Sequence, residues 1–300
     1  MATAADLNFT YTQIDRLFRL SIGEMADFSG AKYDGDFSLP LETAQRRKHE
    51  FMAAQLGIGP GTRVLDLGCG WGPFLNYARY LGAIGTGVTL SSGQAAACRR
   101  NGLDVHVMDV MQVTPETFNT HFDAVVSVGA FEHFCSREQY RAGQQAAIYA
   151  GFFRGVHALL KPGGKLFLQT MVFGKNMIAE DRLNVDAPHL SDEHVLGLLA
   201  CTFPGSWLPY GKAQLVETAA PHFTEVTSHS GRLDYIETIK QWRARFAEPS
   251  FAKTLVRLSL LPKYLTSRDF RNAFASGISA NTICFERELL EHYRVVFQRT

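Results

Sequence analysis

The chain has 300 residues, of which 46% are apolar and 20% charged, and its formal net charge is +1. This is an ordinary globular composition, and it excludes an intrinsically disordered chain. A charge balance so close to zero also argues against a strongly basic nucleic-acid-binding protein, so no nucleic-acid partner is expected.

The first sixty residues are predicted to form an N-terminal cap, 1–60, of helices and loops. Ile14–Leu20 has helical spacing, and a longer helix is predicted over Leu41–Leu56. Gly57 ends this second helix, because glycine readily adopts the left-handed conformation that follows a helix.

Residues 61–171 alternate short β-rich runs with helical runs, and this alternation predicts an α/β core with a doubly wound parallel sheet. The predicted strands are Arg63–Leu67, Ile84–Thr89, Asp104–Met108, Asp123–Val128 and Lys165–Met171. The predicted helices are Pro73–Leu81, Ser91–Arg100 and Gln144–Leu160. Lys161–Gly164 is predicted to be a turn that closes the last of these helices.

The alternation stops after Met171. Residues 172–210 are predicted to mix helix with loop, and residues 232–290 to be mainly helical. Such long segments in an α/β chain are usually lids or pocket walls. Further predicted elements are the helix Lys212–Ala220 and the strands Phe223–Ser228 and His292–Gln298. Residues 172–300 would therefore complete the sheet and form a helical lid over an acceptor pocket, all within a single structural domain.

The five cysteines are widely spaced and include no CxxC pair. This pattern favours a reducing compartment over a disulfide framework or a zinc site, and no metal site is expected. The first ten residues show no signal-peptide pattern, and no apolar run reaches the length of a membrane span. The sequence therefore predicts a cytoplasmic protein.

The strongest local motif is D-x-G-x-G-x-G, which runs from Asp66 to Gly72 directly after the first strand. Glycines at such a turn let the backbone approach a ligand, and the next helix adds free N–H groups and a positive dipole end. The spacing differs from the G-x-G-x-x-G of dinucleotide-binding proteins. An acid at position 66 can bind the ammonium group of a methionine moiety. The motif therefore favours S-adenosylmethionine (SAM) as cofactor.

The second strand ends in Gly87–Gln94, without the acid that binds ribose in many nucleotide-binding folds. Ser91 and Gln94 also fit a helix capping box, so a structural role stays open for this segment. Asp109 follows the third strand, where an acid can accept a hydrogen bond from the adenine amino group. The alternative is that Asp109 is an ordinary loop acid.

Three strings together resemble the family of cyclopropane fatty acid synthases and mycolic acid cyclopropane synthases: Val64–Gly72, Gly87–Gln94 and Val126–Phe134. The resemblance extends through Phe203–Pro209 and covers most of 13–298. It implies a Rossmann-like class I methyltransferase fold, with a mainly parallel seven-stranded sheet, an antiparallel last strand and helical lid insertions. It also implies methyl transfer from SAM to an alkene carbon of a lipid.

The resemblance assigns roles to particular residues. Glu132 matches the family's active-site glutamate, and Tyr235 matches a tyrosine that faces the same site. His133 is a further catalytic candidate, with a structural role as the alternative; it adjoins Glu132, so the two side chains are expected to diverge. The resemblance implies that the cofactor is bound by Phe28, Ser29, Asp66, Gly68, Gly70, Thr89 and Gln94. Asp109 is added to them because of its position after the third strand.

The chain also departs from the family pattern. The family binds a bicarbonate ion as base, in a shell that includes a histidine and a cysteine, and these positions are Gln169 and Ile278 here. Glutamine carries no charge and isoleucine forms no side-chain hydrogen bond. The cysteine of the family's Y-S-C-A segment is Gly30. These departures argue against a bicarbonate site and leave Gln169 as the candidate catalytic residue at the histidine position.

The chemistry of alkene methylation indicates which residue types the site needs. The enzyme must align donor and acceptor, exclude water, stabilise a carbocation and remove a proton. We predict that Glu132 is the base, or orients it, because it follows the carboxyl end of a strand. A first-turn glutamate favoured by the helix dipole is the alternative. Candidate aromatic residues are Phe131, Phe134, Phe173, Tyr210, Tyr235 and Trp242.

The predicted lid is locally basic, with eight Lys or Arg residues and two acids between Lys240 and Asn272. An apolar and anionic acceptor, an acyl carrier or a membrane surface would explain this, and so would a solvated helix face. The leading hypothesis is C-methylation of an unsaturated fatty-acyl or isoprenoid lipid. C- or N-methylation of a small specialised metabolite and a catalytically silent adenosyl- or NAD-binding protein are the alternatives. Homo-oligomer formation is left open.

Overall fold

The computed structural model describes residues 17, 19–23, 25–203, 205–267 and 280–300. Its centre is a seven-stranded sheet in the order β3-β2-β1-β4-β5-β7-β6. The first five strands pair in parallel, whereas β7 runs antiparallel to both β5 and β6, which confirms the predicted fold class. The strands are β1 Arg63–Leu67, β2 Ile84–Thr89, β3 Asp104–Val107, β4 Phe122–Val128, β5 Leu160–Phe173, β6 Phe223–Ser230 and β7 Leu290–Arg299.

Helices surround this sheet. They are α1 Leu41–Leu56, α2 Pro73–Tyr80, α3 Ser92–Arg100, α4 Pro115–Phe118, α5 Arg137–Arg141, α6 Gln145–Leu159, α7 Asp192–Thr202, α8 Gly211–Ala219, α9 Arg232–Ala247 and α10 Phe251–Thr266. Residues 280–286 are also helical. Across the described ranges, no helix is both long and apolar enough to cross a membrane.

Both faces of the central strands are buried, because side chains alternate between the two faces of a strand. In β4, Val125 packs with the aromatic residues of α6, while its neighbours Ala124 and Val126 pack on the opposite face with Met52 of α1 and Phe74 of α2. The same alternation recurs in β1, β5 and β7. Helices therefore cover the sheet on both sides, as a doubly wound fold requires.

The prediction of a turn at Lys161–Gly164 is wrong, because these residues lie within the bounds of β5. Leu160 already pairs with Phe122, and pairing resumes between Lys165 and Ala124, so the intervening residues bulge out of the ladder. Gly163 has a φ of 73°, which allows this excursion. The sequence of this segment alone does not show that Leu160, before the glycines, already pairs with Phe122 of the neighbouring strand.

The cap and the predicted lid segments pack together in a second core. It joins Tyr33 and Leu41 of the cap to Trp207, to Trp242 of α9 and to Phe285. Most of the predicted helical segment Ile14–Leu20 lies outside the described residues. The second core places the cap and α9 beside the strand ends where β4 and β5 carry candidate residues.

Candidate active site

The glycine turn after β1 is tightly packed. Gly68 has a φ of 90°, and a Cβ at this position would lie 2.4 Å from the Cβ of Ala130. Its backbone N–H and that of Cys69 both donate to the carbonyl of Val88, at 2.9 Å. Only glycine satisfies both the backbone angle and the space at position 68. The turn therefore lies directly against the segment that follows β4, two residues before Glu132.

Asp66, in β1 just before the glycine turn, is buried. Burial and the charge of Asp27 raise its pKa to about 8, although the charge of Lys48 acts in the opposite sense. A buried carboxyl with a raised pKa becomes ionised when a cation is placed beside it. The position therefore suits the ammonium group of an amino-acid ligand.

The end of β2 is organised by side-chain hydrogen bonds. Thr89 Oγ1 donates to Gln94 Oε1 at 2.9 Å and accepts from the N–H of Ser91 at 3.2 Å. Ser91 Oγ in turn accepts from the N–H of Gln94 and caps α3. Ser91 therefore caps the helix, as the structural alternative predicted. The second hydrogen bond of a capping box would join the Gln94 side chain to the N–H of Ser91, but this N–H donates to Thr89 instead. Thr89 and Gln94 form one polar pair at the carboxyl end of β2.

Asp109 has a local structural partner. Its Oδ1 accepts from the N–H of Met111 at 2.9 Å and caps the short helix Val110–Gln112. This contact is what an ordinary loop acid makes, so the loop-acid alternative describes the side chain as it stands. A role for Asp109 toward adenine stays a prediction.

Buried charged residues hold the cap segment that carries Phe28 and Ser29. Ser29 Oγ donates to Asp27 Oδ1 at 2.6 Å, and Lys48 Nζ of α1 lies 2.6 Å from Asp27 Oδ2. Burial alone would raise the pKa of Asp27, but the charge of Lys48 and the hydrogen bond with His49 hold it well below its usual range. No sequence motif marks Asp27, Lys48 or His49 as part of the site.

Phe28 itself is half-exposed and stacks on Trp242 of α9, with ring centroids 4.6 Å apart. This stack ties the cap segment to the predicted lid. Trp242 also makes an edge contact with Tyr235, about two turns earlier in α9. Of the two cap residues implied to contact the cofactor, Phe28 therefore lies at the surface and Ser29 is buried.

Glu132 lies in the short helix Phe131–His133 after β4 and is buried. Its Oε1 accepts from the N–H of Met171 at 2.8 Å, while Oε2 has no hydrogen-bond partner among the described residues. Burial raises the pKa of this carboxyl. His133 is exposed, and its Nδ1 lies 2.7 Å from Ser206 Oγ, so the two side chains diverge as expected. Glu132 thus has one fixed oxygen and one oxygen available to a ligand.

Tyr235 stacks flat on His292 of β7, with centroids 4.8 Å apart and planes 3° from parallel. A Cβ at Gly30 would lie 2.6 Å from Tyr235 Cδ2 and 3.0 Å from His292 Cε1, so glycine makes room for both rings. Burial, with the charges of Arg294 and Lys48, holds the pKa of His292 well below its usual range. A neutral imidazole therefore lies against the predicted active-site tyrosine.

Gln169 takes part in a buried polar network. Its Nε2 donates to the carbonyl of Gly30 at 3.0 Å, and Arg294 Nε donates to its Oε1 at 3.1 Å. Arg294 also pairs with Asp234 at 2.9 Å and donates to the carbonyl of Ala31 at 2.5 Å. Gln169 and Arg294 therefore hold the cap segment over the sheet. Ile278, the other departure from the family pattern, lies outside the described residues.

The six candidate aromatic residues are dispersed. Phe131 and Phe134 pack in the core against Phe152 of α6. Phe173 and Tyr210 form a separate group with Trp207. Tyr235 and Trp242 lie on α9 near the cap segment, and burial together with the charge of Glu132 raises the pKa of Tyr235. Tyr235 is therefore the aromatic candidate that the electrostatics link to Glu132.

His292, Arg294 and Asp234 were missed by the sequence analysis. His292 and Arg294 alternate in β7 on the face that meets the cap, and their partners come from distant parts of the chain. The one available signal was a pair of basic residues two apart, directly before the apolar run 295–297 of the strand. That spacing places both on one face, but it does not say whether the face is buried.

Known proteins match both the sequence and this fold. A family model described as mycolic acid cyclopropane synthetase matches residues 2–264. Cyclopropane-fatty-acyl-phospholipid synthase of Escherichia coli K12 is 31% identical over 264 residues, which are 86% of this chain and 59% of that protein. Cyclopropane mycolic acid synthase 3 of Mycobacterium tuberculosis H37Rv is 30% identical over 237 residues, which are 77% of this chain and 78% of that protein.

Solved structures match over nearly the whole chain. The cyclopropane synthase MmaA2 of Mycobacterium tuberculosis has a TM-score of 0.72 at 24% identity, covering 95% of this chain and 94% of that one. Mycolic acid cyclopropane synthase CmaA1 complexed with SAH and CTAB has a TM-score of 0.73 at 23% identity, covering 96% and 95%. These structures share the fold, and the sequence matches confirm the family resemblance. This chain spans about three fifths of the length of the Escherichia coli relative.

Proposed function

The chain belongs to the mycolic acid cyclopropane synthetase family, and on that premise we propose that it transfers a methyl group from SAM to an alkene carbon of an unsaturated lipid chain, fatty-acyl or isoprenoid. The observation that carries the proposal is the carboxyl of Glu132. It is buried, one oxygen is fixed by Met171, and the other has no hydrogen-bond partner among the described residues.

Three features support SAM as the methyl donor. The Gly68 turn is too tight for a side chain and adjoins the Glu132 segment, and Asp66 suits an ammonium group. Thr89 and Gln94 would take the ribose side. When bound, SAM supplies an electrophilic methyl group on a sulfonium. A related structure that shares the fold holds SAH together with CTAB, a nucleoside and an amphiphile with an apolar chain.

The proposed mechanism assigns the proton transfer to Glu132. With SAM held by these residues, the alkene's π electrons would form the new bond to the methyl carbon, and the electrons of the breaking carbon–sulfur bond would stay with the sulfur. The resulting carbocation lies near the ionised Glu132 and the ring of Tyr235, which both favour positive charge. A proton would then pass from the cation to Glu132, whose burial makes its carboxylate a stronger base than an exposed one. The electrons of the broken C–H bond would form a new C=C bond or close a cyclopropane ring.

We assign the base to Glu132 and not to a bound bicarbonate ion. Gln169 stands at the position of the family's bicarbonate-binding histidine. Its amide N–H donates to the carbonyl of Gly30, and its amide oxygen accepts from Arg294. Gln169 therefore acts as a positioning residue for the cap segment.

The location of the protein in the cytoplasm stays a prediction, which cell fractionation would test.

The test is incubation with methyl-labelled SAM and unsaturated phospholipid, fatty-acyl or isoprenoid acceptors, followed by mass spectrometry of the products. We expect a labelled lipid. Glu132→Gln should lower turnover by about 100-fold or more, because general-base catalysis is worth at least that much. Its SAM affinity should stay within a few-fold of the unaltered protein.

Glu225→Gln is the matched control, because this glutamate of β6 pairs with Lys212 of α8 and has no part in the proposed site. It should leave turnover unchanged. Normal turnover in Glu132→Gln would remove Glu132 from the mechanism. A labelled amine in place of a labelled lipid would assign the chain to small-metabolite methylation.

A further inference from the structure

The imidazole of His292 is buried where β7 meets the cap segment and the start of α9, and the proposed mechanism gives it no role. Two glycines make room for this ring. A Cβ at Gly30 of the cap segment would lie 3.0 Å from His292 Cε1 and 3.2 Å from Nε2. A Cβ at Gly231, which precedes α9, would lie 2.6 Å from His292 Nδ1. Glycines from two distant segments therefore accommodate one side chain.

His292 supports Tyr235, the aromatic residue that the proposed mechanism places beside the carbocation. The two rings lie 3° from parallel with their centroids 4.8 Å apart. Phe285 and Trp242 contact the same tyrosine at steep angles, with centroid distances of 4.9 and 6.0 Å. The N–H of Tyr235 donates to the carbonyl of Gly231 at 2.8 Å, so its backbone is fixed in the first turn of α9. The plane of the Tyr235 ring is therefore set by the ring that lies parallel to it, that of His292.

The stack of His292 on Tyr235 lies next to Glu132. His292 is the cross-strand partner of Met171 in β5, and the N–H of Met171 donates to Glu132 Oε1 at 2.8 Å. Side chains that stand directly opposite in an antiparallel pair lie close together on one face of the sheet. Burial and the charge of Glu132 both raise the pKa of the Tyr235 phenol, which links the second ring to the same carboxyl. A change in the His292 ring would therefore move Tyr235 relative to the proposed base.

The ring of His292 is uncharged at neutral pH, because burial and the charges of Arg294 and Lys48 hold its pKa well below the usual range. A protonated imidazole stacked on Tyr235 would compete with a carbocation for the negative face of the phenol ring, whereas an uncharged one leaves that attraction available. His292 Nδ1 has no hydrogen-bond partner among the described residues, so a carbon ring in its place would lose no bond there. The feature that matters at this position is thus a flat, uncharged ring.

We propose that His292 is a positioning residue for Tyr235: its ring holds the plane of the tyrosine, so that the carbocation forms against an aromatic face. A cation is attracted when it lies over the face of an aromatic ring and within about 6 Å of its centre, so the tilt of the ring decides the strength of the interaction. Without the stack, Tyr235 would be free to turn about its side-chain torsions. The inference rests on the proposed function for the nature of the cation.

The test is steady-state methylation of an unsaturated phospholipid with methyl-labelled SAM. His292→Ala should lower kcat at least about tenfold and leave both KM values within about twofold, because the contact with the cation is made only as the methyl group is transferred. His292→Phe should restore most of kcat, since its ring can stack in the same plane. His292→Leu fills a similar volume without a flat ring, so it should stay as slow as His292→Ala. His106→Ala is the control outside the site: this strand histidine contacts the Phe118 ring, and its loss should leave kcat unchanged.

Two kinetic results would overturn the proposal. Normal kcat in His292→Leu would mean that packing volume alone suffices at this position. A His292→Phe variant as slow as His292→Ala would mean that a ring nitrogen is needed and that the stack is not what matters.

A second measurement reads the stack without turnover. Thermal unfolding of Gly30→Ala, His292→Ala and the double variant forms a double-mutant cycle, which measures the coupling between the two positions. Gly30→Ala should lower the unfolding midpoint less in the His292→Ala background, because the ring 3.0 Å from the new Cβ is then gone. Additive midpoints would contradict the packing. Coupling without any methylated lipid would mean that the stack stands and the proposed activity fails. A methylated lipid with equal kcat in all His292 variants would mean that the activity stands and His292 does not position Tyr235.

Discussion

Replacement of Arg294 by methionine tests how the cap is held over the sheet. The Arg294 side chain is 1% exposed and its partner Asp234 is 8% exposed, so the ion pair is almost fully removed from water. Methionine fills much of the same volume but leaves the carboxylate of Asp234 buried without its cation. Removal of one partner of a buried pair costs about 3–5 kcal/mol of unfolding free energy.

Part of this cost is offset in the structure. Asp234 Oδ1 still accepts from the N–H groups of Tyr33 and Asp34, at 3.0 and 3.1 Å. We therefore expect the lower end of the range, about 3 kcal/mol. For a chain of this size that lowers the unfolding midpoint by roughly 5 °C. SAM affinity should also fall, because Arg294 holds the carbonyl of Ala31.

The assay is thermal unfolding, with Arg287→Met as the control. The pair between Arg287 and Asp192 is 43% and 40% exposed, so its loss should cost at most about 1 kcal/mol. Asp234→Asn combined with Arg294→Met should recover part of the loss, because the buried charge is then gone. If Arg294→Met and Arg287→Met had the same midpoint, the buried pair would not hold the cap as described.

Two further predictions concern the cofactor side of the site. Gly30→Ala should lower turnover and stability, because its Cβ would lie 2.6 Å from the Tyr235 ring. Gly93→Ala is the control, since the nearest atom to its Cβ would be 3.7 Å away. Equal effects of the two variants in steady-state assays would contradict the packing at Gly30. With a pKa of about 8 in the free protein, Asp66 is protonated at pH 7, so binding of the SAM ammonium should release a proton, and affinity should rise with pH up to about 8. Calorimetry in two buffers of different ionisation heat measures this release, and proton release that persists in Asp66→Asn would exclude Asp66 as its source.

Much of the fold could be predicted because its signals are local. The bounds of β1, β2 and α1 were correct to the residue, since each ends at a glycine, a proline or a capping side chain. The extent of β5 could not be predicted, because its last residues, up to Phe173, are held by pairing with Leu290 and its neighbours in β7. Strand pairing over such a sequence distance leaves no pattern within the strand itself.

The same limit applies to the candidate site. Asp66 and Glu132 belong to short motifs and could be identified from the sequence. The groups around them come from distant segments: Arg294 reaches Ala31 across 263 positions and Asp234 across 60. A polar residue in an amphipathic helix, such as Lys48 of α1, looks like a solvated one until its buried partner is known.

The distribution of buried charge gives the site its electrostatic character. Two buried cations lie near it, and each is matched to a carboxylate outside the reacting region: Lys48 to Asp27 and Arg294 to Asp234. Asp66 and Glu132 are left as buried carboxyls with raised pKa values. Because a carboxyl in that condition ionises when a positive charge arrives, the arrangement favours a cationic ligand and a developing carbocation over an anionic intermediate. The fixed pairs also keep Lys48 and Arg294 from neutralising the two carboxyls, so the preference for positive charge is built into the cap and β7 before any ligand binds.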